Sequence, residues 1–305
     1  WFLLGSVFVI FRDFVQHEQT AFMLGVLSIA GAYYLYKVNN SDFTGQFALA
    51  ISLTGQCLCI FSWHDLLKDS SGWLLVALMA AVLAWLMPSF IHRFISSSMT
   101  VFALVMASVS WPVIWLMPSL IMALTAYLWL TEARWLAHSE RIRPVSYALT
   151  LSGIQLHSLT FFSARELGSM AYERRFASGT DLIPVNEILL GVVLVLTVAG
   201  LLRRHRVEWT STPGMAALAA AVVLALISQQ ATGLAVAWTL ILLGFANGHR
   251  VLLGLGLCAF WAYLSRYYYF LHLSLLDKSY LLIMTGLFLL VLRTLGKKWW
   301  GHLHA

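Results

Sequence analysis

Long apolar runs follow one another along the whole chain, each closed by a short cluster of charged residues, Gly, Pro or Asn. A helix that crosses a bilayer needs about 20 predominantly apolar residues, because each residue rises ~1.5 Å through a hydrocarbon layer ~30 Å thick. On that measure the pattern predicts spans near 1–11, 20–36, 43–62, 72–87, 94–110 and 112–131. Six more are predicted near 145–162, 186–202, 214–228, 231–246, 250–265 and 274–293. The expected fold is all-α, a polytopic transmembrane helical bundle of about twelve spans with the first one truncated. Residues 1–305 read as a single multi-span integral membrane domain, with 163–185 as its longest outer, periplasmic loop.

Composition agrees with the pattern. Of the residues 60% are hydrophobic and 10% charged, and mean hydropathy is +0.81, whereas soluble domains carry roughly 25% charged residues. The net charge of +6 does not point to nucleic acid, because the Lys and Arg stand at the ends of apolar runs, where they act as topology anchors. One side collects Arg12, Lys68, Arg165, Arg174, Arg175, Arg266 and Lys278. The other collects Lys37, Arg93, Arg134, Arg141, Arg143, Arg203, Arg204, Arg206, Arg250, Arg293, Lys297 and Lys298. The positive-inside rule then makes the second side cytoplasmic and puts the C-terminus there. Cys57, Cys59 and Cys258 lie within apolar runs without zinc-ligand spacing and read as packing residues.

Polar groups inside hydrocarbon are costly unless partnered, so they mark candidate sites. The deepest strongly polar cluster is Gly153, Gln155 and His157, followed toward the outer surface by Arg165 and Glu166. His157, Gln155, Arg165 and Glu166 are the expected substrate-binding or proton-relay residues. A haem or metal site would need a second deep His, and His17, His64, His92, His138, His205, His249, His272, His302 and His304 all fall at expected span ends or in loops. No catalytic residue, metal or cofactor is expected.

The remaining features have structural readings. Gln46, Gln56, Ser96, Ser97, Ser98 and Thr100 are suited to hydrogen bonds between helices. The Ala216–Ala221 stretch and the Gly254 and Gly256 pair fit close helix packing. Trp85–Ser89 and Trp115–Ser119 share the string Trp-Leu-Met-Pro-Ser but stand at opposite expected depths, so they read as a coincidence and not a repeat. Tyr267, Tyr268 and Tyr269 form an interfacial belt. Ser274-x-x-Asp277 matches a helix cap, and Asn247-Gly248 matches a tight inner turn.

Gly244-Phe245-Ala246-Asn247-Gly248-His249-Arg250, the tyrosine triplet and Ser274-Leu275-Leu276-Asp277-Lys278-Ser279 together resemble the bacterial membrane family known as domain of unknown function 4401. The resemblance is specific over about the last 60 residues. It implies a multi-pass protein of the Gram-negative inner membrane, with a neighbouring single-span protein bearing a Gly-Asp-Tyr signature, and it brings no catalytic residues. Two roles fit: a carrier for a small molecule or lipid, and a membrane scaffold or partner subunit with no substrate of its own. An enzyme acting on lipid-linked glycans fits less well, for want of paired carboxylates, and the chain is expected not to be an enzyme. The expected partners are membrane lipids and another inner-membrane protein.

Overall fold

A computed structural model describes residues 18–38, 41–109, 111–166 and 182–270. Among the described residues the fold is entirely helical. In chain order the helices are α1 (Glu18–Val38), α2 (Asp42–Ser62), α3 (Ser70–Leu86), α4 (Phe90–Ser108), α5 (Met117–Leu130) and α6 (Ser139–Glu166). They continue with α7 (Leu182–Arg204), α8 (Thr212–Gln230), α9 (Leu234–Ala246) and α10 (Arg250–Phe270). Each of the ten expected spans within these residues is a helix. The expected spans at 1–11 and 274–293 lie outside the described residues, as does the Ser274–Asp277 cap.

The count of about twelve crossings is not supported. Six helical stretches among the described residues are long and apolar enough to cross a bilayer: Glu18–Val38, Asp42–Ser62, Phe90–Ser108, Val113–Leu130, Pro184–Arg204 and Thr212–Gln229. Helix α3 and helix α9, Leu234–Ala246, are apolar but shorter. At ~1.5 Å per residue α9 reaches only about 20 Å. The loop expected from Ser163 begins later, because α6 stays helical to Glu166.

Small residues let α1 and α2 cross closely. A methyl group on Gly25 would lie 2.8 Å from the Gly55 carbonyl oxygen, and one on Gly55 would lie 2.7 Å from the Gly25 oxygen. Helices α1 and α2 therefore form a tight hairpin. The core lies to one side of it, where Val101, Val105, Ile114, Trp115, Ile121 and Leu149 bury one another across α4, the 3-10 turn Pro112–Leu116, α5 and α6. Packing is dense within the α1–α2 hairpin and within the α3–α4 hairpin but sparse between the two. They meet near one end, where Ile60 and Trp63 pack on Val76, Ala77 and Ala103.

Several local expectations change. Ala216, Ala219 and Ala220 are exposed and only Ala221 is buried, so the alanine run mostly faces outward. Gly256 does permit close approach, to Ile241, whereas Gly254 faces open space. Of the cysteines only Cys59 is buried. Trp85–Ser89 closes α3 while Trp115–Ser119 opens α5, so the shared string serves opposite helix ends. By backbone contacts the chain divides into two compact units, Trp1–Phe260 and Trp261–Ala305. Of the second, the described part is the end of α10, where Tyr269 is exposed.

Candidate functional site

The seam between the two N-terminal hairpins is polar at its centre. His92, in the first turn of α4, is fully buried. Its Nε2 lies 2.7 Å from Ser52 Oγ and 3.3 Å from Gln56 Nε2, both on α2, and its Nδ1 lies 3.3 Å from Ser96 Oγ. An amide nitrogen can only donate, so Nε2 accepts and the ring proton sits on Nδ1, toward Ser96. Tyr36 on α1 meets the ring edge-on at 6.4 Å between centroids. Three helices thus converge on one imidazole. The sequence pattern, with a span predicted over 94–110, places His92 at a span end.

Two cavities lie along the two N-terminal hairpins. The first is an apolar groove of about 580 Å³ between α1, the end of α2 and α3, lined by Phe22, Val26, Ala30, Tyr33, Leu78, Met87 and their neighbours. The second is a recess of about 470 Å³ at the α3–α4 corner, lined by Tyr36, Ser41, Asp42, Gln46, Ser89 and Ile91 among others. Their linings adjoin along the chain. Met87 borders the groove and Pro88 the recess, while Tyr33 and Tyr36 are one turn apart on α1. Lys37 Nζ sits over the ring of the groove-lining Tyr33, 4.7 Å from its centroid.

Of the expected outer-site residues, the structure describes the side chains of His157 and Gln155 and does not bring them together. His157 is buried but Gln155 is exposed, because residues two apart on a helix are rotated by about 200°. His157 instead faces Glu187 of α7, Nδ1 to Oε1 3.8 Å, with both side chains buried. Asn186 beside it accepts from the Ser119 backbone N–H at 3.1 Å. Arg165 and Glu166 fall at the end of α6, and their side chains lie outside the described residues.

A third cluster closes the opposite end of the core. The buried Glu132 carboxylate accepts from His249 Nε2 at 2.7 Å and from Arg143 at 3.3 Å. Asn247 donates to the Trp129 carbonyl at 3.1 Å and accepts from Arg204. Trp129 stacks edge-on against both His249 and Tyr147, with centroids at 5.1 Å in each case. The turn Asn247-Gly248-His249, with Gly248 at φ +67°, is thereby clamped between the ends of α5, α6 and α7. Glu132 was not singled out in the sequence, where it stands in a charged connection.

The two ends of the first unit differ in charge. Where α4, α6 and α10 begin and α5, α7 and α9 end, the described residues include Arg93, Arg134, Arg141, Arg143, Arg203, Arg204, Arg206 and Arg250 against Glu132, Glu140 and Glu208. Arg93 donates to the Glu140 carbonyl at 2.9 Å there, and Arg141 and Arg203 lie over the rings of Trp85 and Trp209. The opposite end carries Glu18, Asp65, Asp69 and Glu187 with Lys68. On that face Glu18, His64 and Asp65 are exposed and close together, and Lys68 already pairs with Asp65 at 2.6 Å.

Apolar helices of membrane-crossing length, a basic end rimmed with aromatics and buried polar networks between helices define a multi-pass membrane protein. A family model, the domain of unknown function 4401, matches residues 1–299, and the chain belongs to that family. Comparison with curated proteins and with solved structures returned no match.

Proposed function

We propose that this chain is a carrier for a lipid-like amphiphile, held in the seam between the α1–α2 hairpin and the core. One observation carries the reading: an apolar groove of about 580 Å³ and a polar recess of about 470 Å³ are bordered by consecutive residues, Met87 and Pro88. A molecule with a hydrocarbon tail and a polar head would bury each part against matching chemistry, the tail contributing roughly 25 cal/mol per Å² of apolar surface covered. The sparse packing between hairpins supports movement of one against the other, and the His92 network supplies a polar contact that can be broken and remade. The role requires no covalent chemistry and therefore no catalytic group. The Arg-rich end is the cytoplasmic one by the positive-inside rule, in a bacterial inner membrane, and the C-terminus lies on that side.

Reconstitution tests this. Proteoliposomes of the full chain should equilibrate a fluorescent phospholipid between leaflets faster than protein-free vesicles. Ala30→Trp, which fills the groove, should abolish the difference while helicity and elution volume stay unchanged. Wild-type vesicles no faster than empty ones, or an Ala30→Trp variant as fast as wild type, would overturn the carrier reading.

A further inference from the structure

We infer that the amphiphile is a zwitterionic aminophospholipid of the phosphatidylethanolamine class. The inference rests on the carrier reading and adds the head group. Lys37 is placed over Tyr33, which lines the groove, and directly follows Tyr36, which lines the recess. A phosphate joined to a tail lying in the groove arrives at that ammonium. Beyond it the recess offers the Asp42 carboxylate, the Gln46 amide and the Ser89 hydroxyl, and among the described residues no cationic side chain lines it. That order, cation and then anion with neutral acceptors, is the complement of a head group that runs from phosphate to ammonium.

The same chemistry ranks the alternatives. A primary ammonium has three N–H donors to give to Asp42, Gln46 and Ser89. A trimethylammonium has none, so it keeps only the attraction to Asp42. A glycerol head leaves Asp42 without a counter-charge, and a head with a second phosphate would be repelled by it. The selective element is therefore Asp42, with Lys37 serving any phospholipid.

Native mass spectrometry of the full chain can read this directly, after equilibration in mixed micelles with equimolar ethanolamine, glycerol and choline phospholipids of identical acyl chains. Bound ethanolamine lipid should exceed each of the others by about two- to fivefold, the scale of one solvent-accessible ion pair. Asp42→Asn should erase the preference, and Lys37→Ala should lower all three lipids together. Glu208→Gln, remote from the seam, should change neither. Lipid bound without head-group preference, or with the glycerol lipid favoured, would overturn the inference and leave the carrier reading standing. Lipid retention unaffected by Ala30→Trp would overturn both.

Discussion

His92 ties the α1–α2 hairpin to the core through two side chains of α2, so removing its ring should loosen that seam by a calculable amount. Ser52 Oγ at 2.7 Å is a short, well-formed contact, and Gln56 Nε2 at 3.3 Å a long one. Hydrogen bonds between membrane helices contribute about 0.6 kcal/mol on average and up to about 1.7. The Ser52–His92 pair should therefore show a coupling of about 0.6 to 1.7 kcal/mol, a factor of roughly three to eighteen in equilibrium. The assay is a double-mutant cycle of wild type, Ser52→Ala, His92→Leu and the double variant, unfolded reversibly in mixed micelles. Ser96→Ala supplies the control, because Ser96 lies on the same helix as His92 and its contact does not cross the seam. In a cysteine-free background, spin labels at Phe47 on α2 and Phe102 on α4, both exposed, should show a broader distance distribution in His92→Leu. A coupling below about 0.3 kcal/mol, under the average intramembrane bond, would refute the view that this imidazole holds the two hairpins together.

Other perturbations have equally definite directions. Gly55→Ala puts a methyl 2.7 Å from the Gly25 oxygen, and overpacking of that kind costs about 1–3 kcal/mol. Gly31→Ala, which meets nothing within 4 Å, should be neutral or stabilising by up to about 1 kcal/mol. The two melting temperatures measured side by side check the crossing, and equal shifts would contradict it. Glu132→Ala removes the acceptor shared by His249 and Arg143 and should cost about 1.5–3 kcal/mol. Glu132→Gln, which keeps one carbonyl, should cost less in the same unfolding assay. At the exposed Asp65, the hydrogen bond from Lys68, and then the His64 charge, hold the carboxyl below the ordinary carboxylate range. Whatever local order this pairing gives is present above the ordinary carboxylate value of ~3.9 and lost as pH falls through the lowered one. A carboxyl-carbon NMR titration of Asp65 in wild type and Lys68→Ala checks the sign: the midpoint should rise in the variant.

Helix positions were legible because a bilayer helix announces itself by length and apolarity alone, and each of the ten predicted spans inside the described residues is a helix. Which of them cross was less legible, since α9 is apolar enough but only 13 residues long. The sites were harder still. His92 precedes the apolar run predicted from residue 94, so it read as a surface residue. Helix α4 begins at Phe90, and the α3–α4 corner lies against the middle of α2. Depth here depends on the stagger between helices, which no single run encodes. Gln155 and His157 looked like one cluster because they are neighbours in sequence, yet helical rotation sends them apart and gives His157 Glu187 as its facing group. Asn247 and His249 were read as parts of a turn. The turn is real, but its side chains also reach α5, α7 and Glu132, partners more than 40 residues away.

The distribution of polar groups favours the proposed carrier over a scaffold. A subunit that acts only by packing gains nothing from a buried imidazole bridging a loosely packed seam, because replacing such a group by apolar side chains is often neutral or stabilising. The cluster that follows α5 carries the contrasting arrangement. There Glu132, His249, Asn247 and Arg204 lock α5, α6, α7 and the α9–α10 turn together. One part of the molecule is thus clamped by charge-assisted bonds, while the hairpin beside the groove is held by neutral bonds of one to two kcal/mol at most. A carrier needs that division, a fixed frame and a weakly latched element next to the cargo. Weakening the latch with His92→Leu should therefore alter lipid equilibration before it alters global stability, whereas Glu132→Ala should do the reverse. Parallel changes in both quantities for both variants would show that the seam has no separate motion, and the carrier reading would fall with it.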